Sequence, residues 1–369
     1  MTTASFINTE NYQRDVQKLY IFDEKFDDDY KVKSAVCRDK TTGKWYFPEY
    51  FYDGNTIDIK TKSPLIAIEQ ATEAFDAFAR LIIEHIFANN SFLMYNKETG
   101  EKNFKIYVSC PSKFDTVKET VVPKIIPIEG LITEDTALYW NFNRWELLNN
   151  SMLIIQIGSN TIDYIYYNNQ GNVEWKDGNR LGISRMVKYI VDYFKNNDSD
   201  FQEAEKEACE AEICKINKID WYAAVCHYVK RRLESYFVTQ LSFLNLDLPN
   251  GALAPNLKKR IFDAVAISKQ KLENEIICDY IKELRLNPEK IKSKNPNMVV
   301  LTGEGAYINP LKDVIKEVFD NSKIIRDSEP SYTISDGMTI YAYHKEKEAM
   351  SKQNTHVQHY VTKTNKHIY

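Results

Sequence analysis

Two short stretches of small residues each follow an apolar run and could bind a charged ligand. The first, Gly158-Ser159-Asn160-Thr161, lies between the runs Met152 to Ile157 and Ile162 to Tyr167. This pattern predicts a buried strand, a tight turn and a returning strand. Because Gly158 and Asn160 tolerate positive φ, we expect a sharp turn whose successive N–H groups form a concave site for a phosphate. A plain β-hairpin in the core is the alternative.

An acidic residue and a second glycine turn extend this chemistry. Asp163 lies two residues beyond the first turn, where its carboxylate could hold a divalent cation through water. The second stretch, Gly303-Glu304-Gly305-Ala306, follows the apolar run Met298 to Thr302 and precedes Pro310, which opens a helix. Open α/β sheets bind ligands at the carboxyl ends of their strands. Neither stretch has the spacing of a known Gly-rich fingerprint, but together they favour a nucleotide cleft.

The composition is that of an ordinary soluble globular protein. The chain has 369 residues, of which 43% are hydrophobic and 27% charged, and this length allows two domains or lobes. The formal net charge of -4 gives no reason to expect binding to nucleic acid or to an anionic membrane. None of the 6 cysteines forms C-x-x-C, so we expect free thiols and a cytoplasmic location.

The order of the predicted elements suggests two α/β lobes divided near Asn150. The elements are short strands before residue 50, a long amphipathic helix from Pro64 to Asn89, the central hairpin, a helix over Ile183 to Asn196, a strand over Leu241 to Leu248, a helical region over Lys258 to Leu286, the buried strand Asn297 to Thr302, a helix over Pro310 to Phe319 and a last helix near Ser335. The tail from Glu348 is polar, and we expect it to be partly mobile.

Five segments occur in an order that is typical of one superfamily. They are Val108 to Phe114, Gly130 to Ala137, Ile157 to Asp163, Val299 to Pro310 and Pro330 to Gly337. In this order they resemble motifs of the nucleotide-binding domain of the heat-shock-70 (DnaK-type) chaperones, within the actin-like ATPase superfamily. The third resembles the second phosphate loop of that family and the fourth resembles its adenosine motif. The resemblance extends over nearly all of residues 2–343.

This resemblance implies an α/β fold of the two-lobed actin-like ATPase type, a duplicated ribonuclease H-like fold with the nucleotide cleft between the lobes. Residues 1–149 would form lobe I. Residues 150–336 would form lobe II, with a helical insertion at about 183–290. Residues 337–369 would form a closing helix and a polar tail.

The resemblance also implies roles for individual residues. The phosphate-binding residues would be Gly158, Ser159, Asn160 and Thr161, with Thr2 and Thr3 resembling the second half of the first phosphate loop. Residues near Mg²⁺ and the attacking water would be Asp163, Glu134 and Gln156. Nucleoside contacts would come from Gly303, Glu304, Gly305, Ala306 and Tyr307, the last by stacking on the base, and from Lys230 and Arg231. Lys60 resembles the catalytic lysine of the family, and an exposed loop lysine is its alternative reading.

Departures from the family pattern bear on catalysis. Gln156 stands where the family has a metal-side aspartate, and an amide oxygen can bind a water but brings no negative charge to Mg²⁺. Ser159 and Asn160 replace two glycines of the phosphate loop. The aspartate-bearing first strand is absent before Thr2, so we expect the natural protein to begin upstream with an apolar strand.

We therefore expect an ATP-binding protein of the heat-shock-70 or actin-like type. Its ligands would be ATP or ADP with Mg²⁺, and weak hydrolysis would proceed by attack of water on the γ-phosphate. A chaperone-like coupling of nucleotide state to lobe closure would involve a protein partner or client. The alternatives are a degenerate, non-hydrolysing interaction module and an actin-like filament-forming protein. The sequence indicates neither the oligomeric state nor the partner.

Overall fold

The structure is a computed structural model of the chain. It describes residues 2–3, 5–6, 16–19, 31–32, 35–39, 41–47, 52–53, 56–57, 66–67, 72–96, 98–110, 128–143, 150–199, 202–203, 206, 226, 229, 243–245, 266–330 and 332–364. Contacts between Cα atoms divide the chain into two compact units. The first contains residues 32–81 and 148–331, and the second contains residues 2–31, 82–147 and 332–369.

The strands are short except around the central hairpin. In chain order they are β1 (Thr2–Thr3), β2 (Ser5–Phe6), β3 (Gln17–Lys18), β4 (Lys31–Val32), β5 (Ala35–Arg38), β6 (Trp45–Tyr46), β7 (Tyr52–Asp53), β8 (Thr56–Ile57), β9 (Ile66–Ala67), β10 (Tyr107–Cys110), β11 (Gly130–Thr133), β12 (Met152–Ile157), β13 (Ile162–Tyr167), β14 (Val173–Asn179), β15 (Phe243–Asn245), β16 (Ala266–Ser268), β17 (Met298–Thr302) and β18 (Lys323–Arg326).

The helices occur between these strands and after the last of them. They are α1 (Thr72–Asn89), α2 (Glu134–Asn143), α3 (Ile183–Asn197), α4 (Lys269–Lys271), α5 (Cys278–Ile291), α6 (Asn309–Val318) and α7 (Thr333–Thr364), with a π-helical segment at Leu272–Ile276 and 3₁₀ turns at Lys292–Lys294 and Glu304–Tyr307. Among the described residues, no helix combines the length and the apolar character needed to cross a membrane.

The first unit is built on a five-stranded sheet in the order β14-β13-β12-β17-β18. β12 pairs antiparallel with β13 and parallel with β17, and β17 pairs parallel with β18. Five of the six residues of β12 and all five of β17 are buried, so both faces of these central strands are covered. The apolar runs of the sequence therefore became the centre of the sheet.

Three helices contribute their apolar sides to one core with this sheet. The side chains of Leu153, Ile155 and Leu301 share a buried cluster with residues of α3, α5 and α6. The described part of the cluster on α3 comprises Ile183, Met186, Val187, Ile190, Val191 and Phe194. Their spacing of three and four residues places them on one side of the helix. Smaller pairings of the first unit include β5 with β6 and with β9, β7 with β8, and β15 with β16.

The second unit contains the crossing of α2 and α7. Gly337 of α7 lies close to the carbonyl oxygen of Ala137 in α2. A Cβ atom at position 337 would overlap that oxygen. The ring of Trp140 packs edge-to-face on Tyr341 at 5.8 Å and lies 4.8 Å from His344. β10 and β11 form a parallel pair in the same unit. Glycine at this crossing allows the two helix backbones to approach closely.

Several sequence-based elements are confirmed, but the helix predicted from Pro64 to Asn89 begins at Thr72, and Ile66–Ala67 is a strand paired with β5. The hairpin β12–β13, the strand β17, and the helices α3 and α6 lie within a residue or two of their predicted bounds. The helical prediction for Lys258 to Leu286 was wrong in part, since Ala266–Ser268 is a strand paired with Phe243–Asn245. Strand β18 was not predicted. Helix α7 continues to Thr364, beyond Glu348 where the polar tail was expected to begin.

Helix α3 begins directly against the turn that joins β12 to β13. The N–H groups of Gly182, Ile183 and Ser184 donate to carbonyl oxygens of the 158–160 turn at 3.3, 3.2 and 2.8 Å. These bonds satisfy donors at the helix start, where Gly182 forms no side-chain cap. Gly182 has φ -62° and ψ 179°, a conformation that any residue can adopt. Glycine is required at position 182 because there is no room for a side chain. A Cβ there would lie 2.6 Å from backbone atoms of Ser159 and Asn160.

We expect Gly182→Ala to destabilise the protein by about 1–3 kcal/mol, because the added methyl group would force this turn away from α3. Gly130→Ala is the matched control, since its Cβ would lie 3.4 Å from the Tyr107 ring, an ordinary contact. Thermal melts of the two variants measure the difference. Equal melting temperatures would show that the close approach of turn and helix contributes nothing to stability.

Candidate functional site

The turn between β12 and β13 directs three successive peptide N–H groups to one side. The carbonyl oxygens of Gly158, Ser159 and Asn160 all accept bonds from the start of α3. In a trans peptide the C=O and the N–H of the same unit point in opposite directions, and the described residues contain no cis peptide. The N–H groups of residues 159–161 therefore point away from α3. Such a row of N–H groups has the geometry of an anion-binding nest.

The turn is tight, as predicted, but it does not use the positive φ that Gly158 and Asn160 tolerate. Among the described residues, the glycines with positive φ are Gly43, Gly100, Gly171 and Gly303, and Asn295 is the other residue with positive φ. The turn therefore closes without positive φ, through a bond of 2.8 Å from the N–H of residue 158 to the carbonyl oxygen of residue 161. The bonds to α3 hold it in place instead.

The second glycine turn lies directly on the end of β12. Gly303 has φ 82° and ψ 168°, a region that glycine alone adopts without strain. A Cβ at Gly303 would lie 2.6 Å from the carbonyl oxygen of Ile157, and a Cβ at Gly305 would collide with the Ile157 side chain. The glycines are therefore needed for packing between the two turns. Replacing Gly303 with Val would destabilise the fold whether or not a ligand binds, so this variant cannot test ligand binding.

The two turns lie at a topological switch point of the sheet. β12 and β17 are parallel neighbours, so their carboxyl ends are at the same edge. The chain leaves β12 towards β13 on one side, and it leaves β17 through α6 towards β18 on the other side. Ligands of open α/β sheets bind outside the carboxyl ends of strands at such a point. The fold thus provides a ligand position where the sequence placed its small residues.

A polar row crosses the sheet beside the two turns. Gln156 pairs with Asp163 on β13 and with Thr302 on β17, so the three side chains share one face of the sheet. Thr302 Oγ1 donates to Asp327 Oδ2 at 3.2 Å just beyond β18. We call Asp163, Gln156, Thr302 and Asp327 the polar row. It places side-chain oxygen atoms along the edge where the glycine turns lie.

Asp163 is held by its neighbours on both sides. Thr161 Oγ1 donates to Asp163 Oδ2 at 3.1 Å. Gly178 on β14 is its direct partner, and a Cβ there would lie 2.6 Å from Asp163 Oδ1.

Burial raises the pKa of the next residue, Tyr164, far above its usual range, and the carboxylates of Asp177 and Asp163 add to this rise. Tyr164 therefore stays protonated at neutral pH and cannot act as a base.

The donor set fits a magnesium ion only together with a ligand that supplies further oxygen atoms. No group of three or more His, Cys, Asp or Glu residues able to hold a metal occurs in the part of the chain that the structure describes. Gln156 and Asp163 are adjacent oxygen donors across the hairpin. Mg²⁺ commonly uses one or two carboxylates with waters and substrate phosphates, without an all-protein cage. The two residues match that mode.

The structure brings together only some of the predicted site residues. Gln156, Asp163, the turn 158–161 and the segment 303–307 meet at one sheet edge in the first unit. Glu134 begins α2 in the second unit, and Thr2 and Thr3 form β1 there. Lys60, Lys230 and Arg231 lie outside the described residues.

Sequence reasoning missed the residues that support the second turn. The N–H of Asp327 donates to the carbonyl oxygen of Leu301 at 2.9 Å, and the N–H of Gly303 donates to that of Pro330 at 3.1 Å. The Tyr307 hydroxyl donates to the carbonyl oxygen of Ser328 at 3.4 Å. The segment 327–330 thus holds 301–307 in place. The sequence did contain a signal for this segment. Lys323–Arg326 is a short strand-like run, and the acidic residue after it marks a strand end, as the two glycine turns mark the ends of β12 and β17.

Comparison with known proteins gives the fold class. No protein-family model and no curated protein sequence matches the chain significantly. A solved structure of similar fold is MreB 5 of Spiroplasma citri bound to AMPPNP, with 14% identity and a TM-score of 0.60 over 88% of this chain and 92% of that one. The chain therefore has an actin-like α/β fold, as predicted. The narrower heat-shock-70 assignment finds no support in this neighbour.

We expect Gly178→Ala to destabilise the protein by about 1–3 kcal/mol, because its methyl group would displace the Asp163 carboxylate. In an Asp163→Ala background the same substitution should cost much less, since the clashing oxygen is gone. Urea unfolding of the wild type, both single variants and the double variant measures this coupling. Strictly additive effects would show that Gly178 does not make room for Asp163.

Proposed function

We propose that the protein binds ATP or ADP at the carboxyl ends of β12 and β17. The observation that carries the proposal is the direction of the N–H groups of residues 159–161, which follows from the bonds between the turn and α3. Three N–H groups directed to one side suit phosphate oxygens. The switch point between β12 and β17 supports the same position independently.

The residues of the two turns would divide the nucleotide between them. The turn Gly158 to Thr161 would hold the phosphates through its N–H groups and the Thr161 hydroxyl. The segment Gly303 to Tyr307 would contact the nucleoside. The similar MreB structure was bound to AMPPNP, an ATP analogue, which supports a nucleotide as ligand.

Magnesium would enter with the phosphates. Asp163 would provide the one carboxylate of the hairpin pair, and Gln156 would provide a neutral amide oxygen beside it. Bound Mg²⁺ would neutralise phosphate charge. Because only one of the two positions is charged, we propose that hydrolysis of ATP is slow. Roles for Glu134 and Lys60 near the reacting water stay predictions from the resemblance.

Other parts of the predicted function are proposed from the sequence. Nucleoside contacts of Lys230 and Arg231, phosphate contacts of Thr2 and Thr3, the division into lobes at residue 150 and a cytoplasmic location rest on the sequence. A chaperone-like role with a client gains no support from an MreB neighbour, which fits the filament-forming alternative better. Sedimentation of the protein at rising concentration, with and without ATP, distinguishes that alternative from a non-polymerising interaction module.

We expect millimolar MgATP or AMPPNP to raise the melting temperature, because a ligand that binds only the folded state stabilises it by about 2.7 kcal/mol at 100 times its Kd. Asp163→Asn should weaken MgATP binding more than binding of ATP without metal. Asp313→Asn, on the exposed side of α6, is the matched control and should behave as wild type. Calorimetry that detects no nucleotide binding by the wild type at millimolar concentration would refute the proposal.

We expect Gln156→Asp to lower the melting temperature of the free protein, because two carboxylates would face each other across the hairpin at a cost of about 0.2–1 kcal/mol. MgATP should restore more stability to this variant than to the wild type, and phosphate release should be faster. Gln156→Asn, which adds no charge, is the control. If Gln156→Asp and Gln156→Asn respond alike to Mg²⁺, Gln156 does not lie beside the metal.

A further inference from the structure

An arginine lies over the aromatic ring at the end of the second glycine turn. The Arg326 guanidinium carbon is 5.1 Å from the centre of the Tyr307 ring, within the range of cation–π attraction. Arg326 is the last residue of β18, and Tyr307 ends the 3₁₀ turn that follows Gly303. Two elements that are 19 positions apart in the chain therefore meet at this stack.

The tyrosine is fixed at its hydroxyl as well as at its ring. Tyr307 Oη donates to the Ser328 carbonyl oxygen at 3.4 Å. Arg326 in turn donates from one terminal nitrogen to Asn309 Oδ1 at 3.5 Å. These contacts restrict rotation of both side chains. The ring still remains partly exposed, although it packs against the edge of the core.

Arg326 is an unusual residue to hold in this position. Its Nε is buried and makes no hydrogen bond, and no ion pair of the described residues includes it. An unpaired buried donor costs stability, and a hydrogen bond at 3.5 Å offsets little of that cost. Its guanidinium group lies instead over the Tyr307 ring. This arrangement suggests that the arginine serves the ring and not the stability of the sheet.

We propose that Arg326 is a positioning residue for the base of the nucleotide, acting through Tyr307. This inference rests on the proposed nucleotide site. Arg326 covers one face of the ring and fixes its plane at the switch point, so that the planar base can stack on Tyr307 without first ordering it. Aromatic stacking suits a heteroaromatic base, whereas the phosphates would contact the turn 158–161. Arg326 would therefore affect recognition of the base and not recognition of the phosphates.

Calorimetry of the full chain with Mg²⁺ tests this division, with AMPPNP as one probe and inorganic tripolyphosphate, which has no base, as the other. Arg326→Gln should weaken AMPPNP binding about fivefold and leave tripolyphosphate binding unchanged. Arg326→Lys, which keeps the cation but not the planar group, should show a smaller loss. Arg285→Gln removes a surface arginine of α5 paired with Glu317 and should bind both probes as wild type does.

A double-mutant cycle tests whether Arg326 acts through the ring. In a Tyr307→Leu background, Arg326→Gln should cause no further loss of AMPPNP affinity, because there is no ring left to position. Additive losses, or equal losses for both probes, would overturn the inference. Wild-type binding of AMPPNP that Arg326→Gln leaves unchanged would overturn the inference alone. Absence of AMPPNP binding by the wild type would overturn the proposed function, and the inference with it.

Discussion

The close approach of Gly303 to the backbone of Ile157 joins the two halves of the candidate site. Ile157 is the last residue of β12, and Gly303 follows β17, so this contact fixes the two turns at neighbouring strand ends. The approach is open only to glycine, because the positive φ and the 2.6 Å distance to the Ile157 carbonyl oxygen both exclude a side chain. The small residues that suggest a ligand-binding turn in the sequence are therefore required for packing, whether or not a ligand binds.

The start of α3 sets the direction of the N–H groups in the first turn. The carbonyl oxygens of residues 158–160 bond to the start of α3, and Gly182 allows α3 to come near enough for this. A helix start commonly binds an anion itself, but here its donors are used by the turn. In the proposed site, the N–H groups of residues 159–161, which point away from α3, would bind the anion instead.

The sequence predicted what depends on local pattern and missed what depends on distant contacts. Met152 to Tyr167 and Met298 to Thr302 were predictable because continuous apolar runs indicate buried strands. The three-residue strand Ala266–Ser268 was not, since it exists by pairing with Phe243–Asn245. The turn 158–161 fixes the pairing of Gln156 with Asp163, but the pairing of β12 with β17, which aligns Gln156 with Thr302, cannot be obtained from residue spacing. Arg326 gave no signal, because its ring partner is not local.

We propose that the N–H groups of residues 159–161 and the segment 303–307 belong to one nucleotide site. Amide hydrogen exchange with and without Mg²⁺-AMPPNP tests it most directly, since it reports on these groups residue by residue. We expect slower exchange in both segments and no change in the surface turn at residues 168–172, which lies at the opposite end of β13. Unchanged exchange in residues 159–161 while another segment becomes protected would contradict it.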